Sequence, residues 1–582
     1  MQKIWKINRP APKEFLEKFP EHSKLTLQLL WDRNLRTQKT IDEFFSPDYD
    51  QDLHDPFLLK DIKKTIKRIE KAAKNKEKVA IFADYDADGI CGAVLLTEIL
   101  KSVGIYPEIY IPDRNKEGYG LNLKAIEEIA RKRINLVITI DCGVTDFLEV
   151  KLANKLGMDV IIVDHHEIPT SSAGRPKLPP ALAIINPKQK SDNYPFKQLS
   201  ATGVAFKLVQ ALFKTLKLPV SQEKWLLDLV AIATVTDSML LLGENRTLVR
   251  YGLIVLSQTK RIGLKELMRR AGVKPVFNPQ TFDTNLNTYT LGYILGPRLN
   301  AASRVDHGTT AYRLLVAPNE EEAKDIAQQL EEKNQQRQRI MYKIYKEAKG
   351  RVLKYSKNKK IIFEWDEYWI AGIIGLVAQR LRDEFWRPCF ICQKLKDYAL
   401  CSVRGGVFGF NAIKVINSCS RFLEEFGGHP YAAAFRLKVK NLDKVQKLIE
   451  RAGKEELKGK DLIPYLNIDA EIEVKDLNWQ AFQEINDFAP FGEGNPAPLF
   501  LLKEARISEI KSVGSDGCHL KLSLEKEIDK GVKRFRAIGF GLAEFCDKIR
   551  IGDRIDVVFE LIANEWNGTK ELQLKIIDLK KV

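Results

Sequence analysis

One stretch of sequence decides the fold of this chain: Val79-Ala80-Ile81-Phe82-Ala83-Asp84-Tyr85-Asp86-Ala87-Asp88-Gly89. Its first five residues are apolar and include β-branched and aromatic side chains, which predicts a buried β-strand. The residues from Gly89 onward have the pattern of a helix. The three carboxylates therefore follow the C-terminal end of a strand, which is where open α/β sheets build their binding sites.

Three neighbouring carboxylates repel one another unless a cation neutralises them, and a hard divalent metal ion is the natural candidate. A solvated acidic turn is the plainer alternative. The spacing Asp-x-Asp-x-Asp-Gly also opens an EF-hand calcium loop. That loop needs a preceding helix and a Glu at its twelfth position, whereas here a strand precedes it and Leu95 holds that position. We therefore reject the calcium loop.

Strand and helix patterns alternate after this stretch, with further strands predicted at residues 108–111, 136–140, 160–163 and 182–185. This alternation predicts an α/β fold with a parallel sheet covered by helices on both faces. Asp141 follows one of these strands, and Asp164, His165 and His166 follow the next. Carboxylates combined with imidazole suit Mn²⁺ or Mg²⁺, and shared carboxylates can hold two ions about 3.5–4 Å apart.

The remaining sequence divides into regions of different pattern. Residues 1–50 are predicted to be a lead-in that packs on the first domain, which spans residues 51–318. Asp237 follows an apolar helix and is either a cap or a ligand. Residues 319–356 predict one long, exposed connecting helix, and residues 357–455 a second α/β domain. Residues 456–582 predict a linker and a small β-barrel of the OB type.

Composition narrows the class of protein. At 582 residues the chain is too long for one core, and its net charge of +16 favours a polyanionic partner such as nucleic acid. Its eight cysteines are scattered, which suits the cytoplasm, and we expect the pair Cys389 and Cys392 to serve packing. No apolar run approaches the roughly 20 residues needed to span a bilayer, so we expect no membrane association.

The motifs together resemble the DHH phosphoesterase superfamily. In order they are Asp84 to Gly89, Pro112-Asp113-Arg114, Glu117-Gly118-Tyr119-Gly120, Asp141-Cys142-Gly143, Asp164-His165-His166, Asp237 and Arg298-Leu299-Asn300-Ala301. In the second domain, Ser402-Val403-Arg404 and Gly427-Gly428-His429 resemble the DHHA1 domain that accompanies this superfamily. The ordered set is far more specific than any one motif.

The resemblance implies a role for each matching position. Metal ligands would be Asp84, Asp86, Asp88, Asp141, His165 and Asp237, with Asp141 bridging two ions. His166 would contact the scissile phosphate. Phosphate contacts would come from Arg114, Arg298 and Arg304 along the backbone, from Ser402 and Arg404 at a 5′-terminal phosphate, and from His429 across the cleft, where simple packing is its alternative. The chain departs from the pattern at Phe82, where many relatives carry a metal-binding histidine.

The activity implied is a 5′→3′ exonuclease on single-stranded DNA that releases 5′-mononucleotides and serves DNA repair and recombination. A single-strand-binding protein and a RecQ-type helicase are the partners that the resemblance implies. Two alternatives stay open. One is a nano-RNase or cyclic-dinucleotide phosphodiesterase of the same superfamily, which would not need the barrel. The other is a non-catalytic scaffold that binds single-stranded DNA.

Overall fold

A computed structural model describes residues 3–114, 116–170, 176–305, 307–356, 359–460, 462–514, 516–528, 531–566 and 569–582. The chain forms two compact units. The smaller unit comprises Met1–Asp48, Leu241–Gly243 and Ile463–Val582, and the larger unit comprises Tyr49–Leu240 and Glu244–Leu462. In these described ranges, no helix has both the length and the apolar character needed to cross a membrane.

The first elements of the chain belong to the smaller unit. They are β1 (Ile4–Ile7), α1 (Lys13–Lys18), α2 (Lys24–Asp32) and α3 (Gln38–Phe45). Ser23 and Thr37 accept hydrogen bonds from backbone N–H groups in the first turns of α2 and α3, respectively, as expected of N-cap residues.

The larger unit is built on a five-stranded parallel sheet. Its strands are β2 (Val79–Ala83), β3 (Glu108–Tyr110), β4 (Leu136–Ile140), β5 (Asp159–Val163) and β6 (Ala183–Ile185), in the order β3-β2-β4-β5-β6. The first helices of this unit are α4 (Ile62–Lys74), α5 (Ala87–Ser102), α6 (Leu123–Arg131) and α7 (Phe147–Lys155). Every residue of β2 and β4 is buried, which explains why these strands are continuously apolar rather than alternating.

A mainly helical region follows the sheet. Its helices are α8 (Ala201–Leu216), α9 (Val220–Lys224), α10 (Leu227–Thr236), α11 (Gly243–Ser257), α12 (Ile262–Arg270), α13 (Gly296–Val305) and α14 (Thr309–Leu315). A short hairpin of β7 (Phe277–Asn278) and β8 (Asp283–Thr284) lies between α12 and α13, and a π-helix at Thr290–Leu295 leads directly into α13. Thus α10 ends one residue before Asp237.

The connecting helix, α15 (Glu320–Arg351), is 32 residues long and therefore about 48 Å in length. The predicted long helix is present, but the prediction that it is exposed was wrong for one of its faces. One face of α15 is buried by residues such as Ile326, Leu330 and Ile344, and the helix contacts both α13 and α16 (Ala371–Phe385). The sequence of α15 is mostly charged because its apolar side chains occupy only the narrow stripe that packs against neighbouring helices. This narrow stripe was therefore not recognised as a buried face.

The second α/β domain contains a five-stranded mixed sheet. Its strands are β9 (Ile362–Asp366), β10 (Cys389–Lys394), β11 (Tyr398–Arg404), β12 (Leu423–Gly428) and β13 (Ala432–Lys438), in the order β12-β13-β11-β10-β9, with helices α16, α17 (Ala412–Asn417) and α18 (Leu442–Glu456). Gly427 and Gly428 therefore lie at the end of β12. Cys392 forms a disulfide with Cys401 on the neighbouring strand, which corrects the prediction that it serves packing alone.

A six-stranded sheet that closes on itself forms the core of the smaller unit. The elements are β14 (Tyr465–Ile468), β15 (Ala470–Glu471), α19 (Trp479–Asn486), β16 (Phe500–Val513), β17 (His519–Ile528), β18 (Gly531–Gly539), β19 (Arg554–Trp566) and β20 (Thr569–Lys581). Pairing of β16 with β19 closes the barrel. Register shifts of the β-bulge type occur in β16 and in the pairing of β20 with β19. These shifts interrupt the polar and apolar alternation by which strands are predicted from sequence.

The N-terminal lead-in packs in the core of this barrel-containing unit, not on the first domain as predicted. Leu27, Leu30 and Phe44 share one buried cluster with Phe488 and Phe500. In addition, β1 pairs in parallel with β14. The sequence of an amphipathic helix shows which of its faces is apolar. The hydrophobic effect is not directional, so this pattern does not identify the surface against which the face packs.

Candidate metal centre and phosphate-binding surface

The turn after β2 places the carboxylates of Asp84 and Asp86 in different surroundings. The Oδ1 atom of Asp86 accepts hydrogen bonds from the N–H groups of Asp88 (2.9 Å) and Gly89 (3.3 Å), so Asp86 is the N-cap of α5. Asp84 is buried, and its Oδ1 makes no hydrogen bond among the described residues. A Cβ atom at Gly89 would lie 2.4 Å from the carbonyl oxygen of Asp84, so only glycine allows the helix to begin this close to the strand.

Asp88 is held by a helix that lies far along the chain. Its two carboxylate oxygens accept hydrogen bonds of 2.8 Å from the N–H groups of Ala201 and Thr202, in the first turn of α8. The positive end of a helix dipole favours a carboxylate at this place. The charge of Asp88 is therefore partly compensated by backbone groups, a contact that no local pattern in the sequence indicates.

The turns after β4 and β5 bring further ligand atoms to the same edge of the sheet. Asp141 has φ +62°, a left-handed conformation that is uncommon for a residue with a side chain and often marks a functional site. After β5, the carboxylate of Asp164 accepts hydrogen bonds from the N–H groups of Val144, His165 and His166. It also contacts Nδ1 of His166 at 2.8 Å, so Asp164 holds the His-His turn in place.

Asp237 lies at the C-terminal end of α10, where the negative end of the helix dipole disfavours a carboxylate. Its side chain makes no cap of the kind considered from the sequence, because a carboxylate caps the N-terminus of a helix. Instead, its Oδ2 lies 3.6 Å from Nε2 of His165. A carboxylate in this position is favourable only beside positive charge.

These side chains form three overlapping groups in which the potential ligand atoms lie within 4.8 Å of one another. The groups are Asp84, Asp86 and Asp141; Asp141, His165 and His166; and Asp88, His165 and Asp237. Asp141 and His165 each belong to two groups. The arrangement is thus one continuous cluster with shared ligands, as a site for two neighbouring ions requires.

The cluster contains buried ligand atoms that lack hydrogen bonds. Among the described residues, Oδ1 of Asp84, Oδ1 of Asp141 and Nδ1 of His165 have no hydrogen-bond partner. Leaving a buried polar atom without a partner costs about 1–3 kcal/mol, and more when it is charged. A divalent cation would satisfy the two carboxylate oxygens, and Nε2 of His165, 3.3 Å from Oδ1 of Asp141, is the imidazole atom that faces it. A set of carboxylate and imidazole donors suits Mn²⁺ or Mg²⁺. The residues present therefore fit such ions.

The electrostatics of the cluster also favour a cation. Burial raises the pKa values of Asp84, Asp141 and Asp237 well above their usual range. The charge of Asp86 adds to the effect at Asp84, and the charges of Asp88 and Asp86 add to it at Asp141 and Asp237. Burial lowers the pKa of His165 to about 4, which keeps its imidazole neutral and able to bind a metal. For His166, burial alone would lower the pKa, but the hydrogen bond and charge of Asp164 raise it to about 9.

A second cluster, which we call the arginine cluster, consists of Arg114, Arg304 and Arg404. Burial lowers the pKa of Arg304 to about 9, and the neighbouring charges of Arg114, Arg337 and Arg404 add to the effect. Burial also lowers the pKa of Arg404, with a further contribution from Arg382 and Arg114. Like charges gathered in a buried place favour an anion there.

The arginine cluster joins the first domain to the second within the larger unit. Nη1 of Arg304 donates a hydrogen bond of 2.9 Å to the carbonyl oxygen of Gly372, at the start of α16. On β11, Nη1 of Arg404 lies 3.3 Å from Oγ of Ser402. A Cβ atom at Gly375 would lie 3.0 Å from that Oγ and 3.1 Å from Nη2 of Arg404, so the glycine lets α16 approach both side chains closely.

The other candidate residues have different surroundings. Arg298 is paired with Glu331 of α15 through a hydrogen bond of 2.6 Å, so its guanidinium is partly engaged. His429 follows β12 and is exposed. Partial burial of its imidazole lowers its pKa, and the charge of His166 lowers the pKa further. Phe82 is buried and stacks on Tyr110 with ring centroids 5.1 Å apart, so this position takes part in packing.

Two further residues, Tyr119 and Asn300, make contacts in the cluster that the sequence did not predict. Tyr119 donates a hydrogen bond of 2.8 Å to the carbonyl oxygen of Asp141, and its hydroxyl lies 3.1 Å from Nδ1 of His166. The side chain of Asn300 accepts a 2.7 Å hydrogen bond from the N–H of Ala87 in the carboxylate turn. Both residues lie in motifs that the sequence analysis identified, so the signal was present, but the pattern could not show what they touch.

Comparison with known proteins places this geometry in a family. Three family models match the sequence: the N-terminal domain of the DHH family at residues 78–234, the DHHA1 domain at 358–455 and the RecJ OB domain at 468–578. The chain is 34% identical over 579 residues to the single-stranded-DNA-specific exonuclease RecJ of Bacillus subtilis (strain 168), covering 99% of this chain and 70% of that protein. The chain belongs to the RecJ family.

Solved structures agree with this assignment. A crystal structure of RecJ from Thermus thermophilus in complex with Mn²⁺ matches with a TM-score of 0.82 and 25% identity, covering 100% of this chain and 80% of that chain. A structure of RecJ from the same organism with Mg²⁺ matches in fold, with a TM-score of 0.75, 24% identity and coverage of 100% and 78%. The predicted superfamily and the predicted fold class are confirmed.

Proposed function

We propose that this RecJ-family chain is a metal-dependent exonuclease that degrades single-stranded DNA in the 5′→3′ direction and releases 5′-mononucleotides. The observation that carries the proposal is the set of buried carboxylate oxygens without hydrogen bonds, Oδ1 of Asp84 and Oδ1 of Asp141, which lie beside Nε2 of His165. Buried polar atoms without partners lower the stability of the fold unless a cation binds to them, so a protein that only binds DNA would gain nothing from this set. The Bacillus subtilis relative, named as a single-stranded-DNA-specific exonuclease, supports the choice of substrate.

The cluster would hold two Mn²⁺ or Mg²⁺ ions through Asp84, Asp86, Asp88, Asp141, His165 and Asp237, with Asp141 shared between the ions. When bound, such ions activate a water molecule and stabilise negative charge on the phosphoryl oxygens. The binding of Mn²⁺ by the Thermus thermophilus relative supports this choice of metal.

His166 would act on the substrate directly. Asp164 occupies its Nδ1 atom and favours the protonated imidazole, which leaves Nε2–H as the donor available to a phosphate oxygen. Because the ring is fixed by Asp164, the donor need not be reoriented when charge develops on the phosphate. Tyr119 adds a second contact to the same Nδ1 atom and limits rotation of the ring.

The arginine cluster would set the polarity of cleavage. Guanidinium groups bind phosphate through paired hydrogen bonds, and Arg404 lies beside Ser402 where Gly375 lets α16 approach both. A 5′-terminal phosphate carries more charge than an internal one and is the best match to several half-buried arginines. Arg114, Arg298 and Arg304 would contact the backbone phosphates that follow, and His429 would contact the strand from the second domain.

The same proposal assigns a role to each region of the chain. Residues 51–318 would form the catalytic DHH domain, residues 319–356 the connecting helix and residues 357–455 the substrate-binding DHHA1 domain, with residues 1–50 as an N-terminal lead-in. Residues 456–582, a linker and an OB-fold barrel, would bind the strand. We place the enzyme in the cytoplasm, acting in DNA repair and recombination with a single-strand-binding protein and a RecQ-type helicase.

One experiment tests activity, polarity and strand preference together. Single- and double-stranded DNA, labelled at the 5′ or the 3′ end, is incubated with the protein with and without Mn²⁺. We expect immediate release of labelled mononucleotide from 5′-labelled single strands only, and only with metal. The Asp141→Ala variant should bind the strand but release nothing. Turnover of dinucleotides alone, or binding without any turnover, would refute the proposal.

A further inference from the structure

Two exposed tyrosines stack on each other in the π-helix region that precedes α13. The side chains of Tyr289 and Tyr293 are 62% and 73% exposed. Their ring centroids lie 5.1 Å apart, and the ring planes differ by only 19°. The pair therefore presents aromatic faces to solvent instead of packing them in a core.

The backbone beneath this pair is irregular. Thr290–Leu295 is a π-helix, a conformation that is rare and is frequently found at functional sites. Single exposed tyrosines are ordinary on protein surfaces, and by themselves they need no explanation. A stacked pair on an irregular helical turn is different, because both the ring alignment and the uncommon backbone need a reason.

The π-helix packs directly on the segment that ends at Asp237. A Cβ atom at Gly292 would lie 3.4 Å from Cγ1 of Val235, and one at Gly296 would lie 2.1 Å from Cγ2 of Thr236. Val235 and Thr236 immediately precede Asp237. Gly296 thus allows the helix to approach the metal cluster closely, and Gly292 is in ordinary contact with Val235.

The same helix continues to the carboxylate turn. Asn300, in α13, accepts the hydrogen bond from Ala87. Tyr293 lies seven residues before Asn300, which is about 10 Å along a helix axis, and Tyr289 lies one further turn away. The aromatic pair is therefore within a few nucleotides of the place where a strand end would meet the metal cluster.

We propose that Tyr289 and Tyr293 form a platform on which unpaired nucleobases of the substrate strand stack a few nucleotides from the cleaved end. Every base has an aromatic face, so such a platform holds a strand without selecting its sequence. In a duplex, the base faces are already covered by their neighbours, so the platform favours single strands. The inference rests on the proposed function, because it assumes that a DNA strand enters the metal cluster.

Binding tests the platform directly. The probe is a 5′-phosphorylated single strand of 12 nucleotides, and binding is measured with Mn²⁺ in an Asp141→Asn background that blocks hydrolysis. Removing both rings in Tyr289→Ala/Tyr293→Ala should weaken binding about tenfold, as loss of one stacked base does. The double Tyr→Phe variant, which keeps both ring faces, should recover most of that affinity.

Tyr106→Ala is the matched control. Tyr106 is 78% exposed and lies between α5 and β3, at the edge of the sheet opposite the carboxylates. Its replacement removes an exposed tyrosine of the same unit without touching the helix of the platform. It should leave binding unchanged, and an equal loss in this control would show that the effect is not specific to the platform.

Strands with a single abasic site at successive positions locate the contact. The unsubstituted protein should bind about tenfold more weakly when the abasic site lies at one or two particular positions from the 5′ end. The double alanine variant should lose this position dependence. Equal binding of all abasic strands, or the same position dependence in the variant, overturns the platform. Absence of any hydrolysis by the unsubstituted protein would instead refute the proposed function.

Discussion

The replacement Asp164→Asn tests whether the His-His turn is organised by one buried carboxylate. Oδ1 of Asp164 contacts the N–H groups of His165 (2.7 Å) and His166 (3.1 Å) and Nδ1 of His166 (2.8 Å). Oδ2 accepts a hydrogen bond of 3.2 Å from the N–H of Val144. Asparagine has the same shape as aspartate, but it is neutral and keeps only one oxygen.

The size of the effect follows from these contacts. The retained oxygen can accept the three hydrogen bonds at Oδ1, and the new NH₂ group then faces the N–H of Val144. One buried donor is left without an acceptor, which costs about 1–3 kcal/mol of stability. The charge that raises the pKa of His166 to about 9 is also lost, so burial favours the neutral imidazole. Replacing a residue that orients a metal-site histidine typically lowers activity about 10- to 100-fold.

Single-turnover hydrolysis of a 5′-labelled single strand with saturating Mn²⁺ measures this loss, and thermal unfolding measures stability. Asp228→Asn is the matched control. Asp228 is also buried, accepts hydrogen bonds from Thr259 (2.6 Å) and the N–H of Leu229 (2.8 Å), and lies at the opposite end of α10 from Asp237. The control should lose stability but keep its hydrolysis rate.

The outcome that refutes this reasoning is a comparable loss of stability in both variants with hydrolysis unchanged in Asp164→Asn. In that case the carboxylate of Asp164 would serve only the fold of the turn. A loss of hydrolysis in the control as large as that in Asp164→Asn would show that the assay reports stability instead of the chemistry of His166.

Three further outcomes are expected. Arg404→Ala should reduce hydrolysis of 5′-phosphorylated strands at least tenfold more than that of strands with a 5′-hydroxyl, measured on matched substrates; an unchanged preference would remove its role. Mn²⁺ binding should release protons at neutral pH, because the pKa values of Asp84, Asp141 and Asp237 are raised in the metal-free protein. Calorimetry in buffers of different ionisation enthalpy detects this release. Binding without proton release would show that these groups are already ionised. Leu30→Ala should destabilise the smaller unit by about 2–5 kcal/mol in thermal unfolding, whereas no change would contradict its place in that core.

The parallel sheet could be predicted because its signals are local. Strands such as Val79–Ala83 and Leu136–Ile140 are short apolar runs whose pattern does not depend on the rest of the chain. Since the carboxyl ends of parallel strands meet at one edge, the sequence also indicated that Asp84, Asp141 and His165 would lie close together. The barrel was only partly predicted, because register shifts interrupt the polar and apolar alternation in β16 and β20.

The sequence by itself determined the elements, the sheet edge and the types of ligand atoms, because each depends on residues that are neighbours in the chain. Only the tertiary structure decided that Asp88 is held by the first turn of α8, that Arg304 and Arg404 meet, and that the lead-in packs against Phe488. These contacts join segments that are far apart in sequence. Burial and charge compensation depend on which surfaces contact each other in space, and a local sequence pattern does not indicate these contacts.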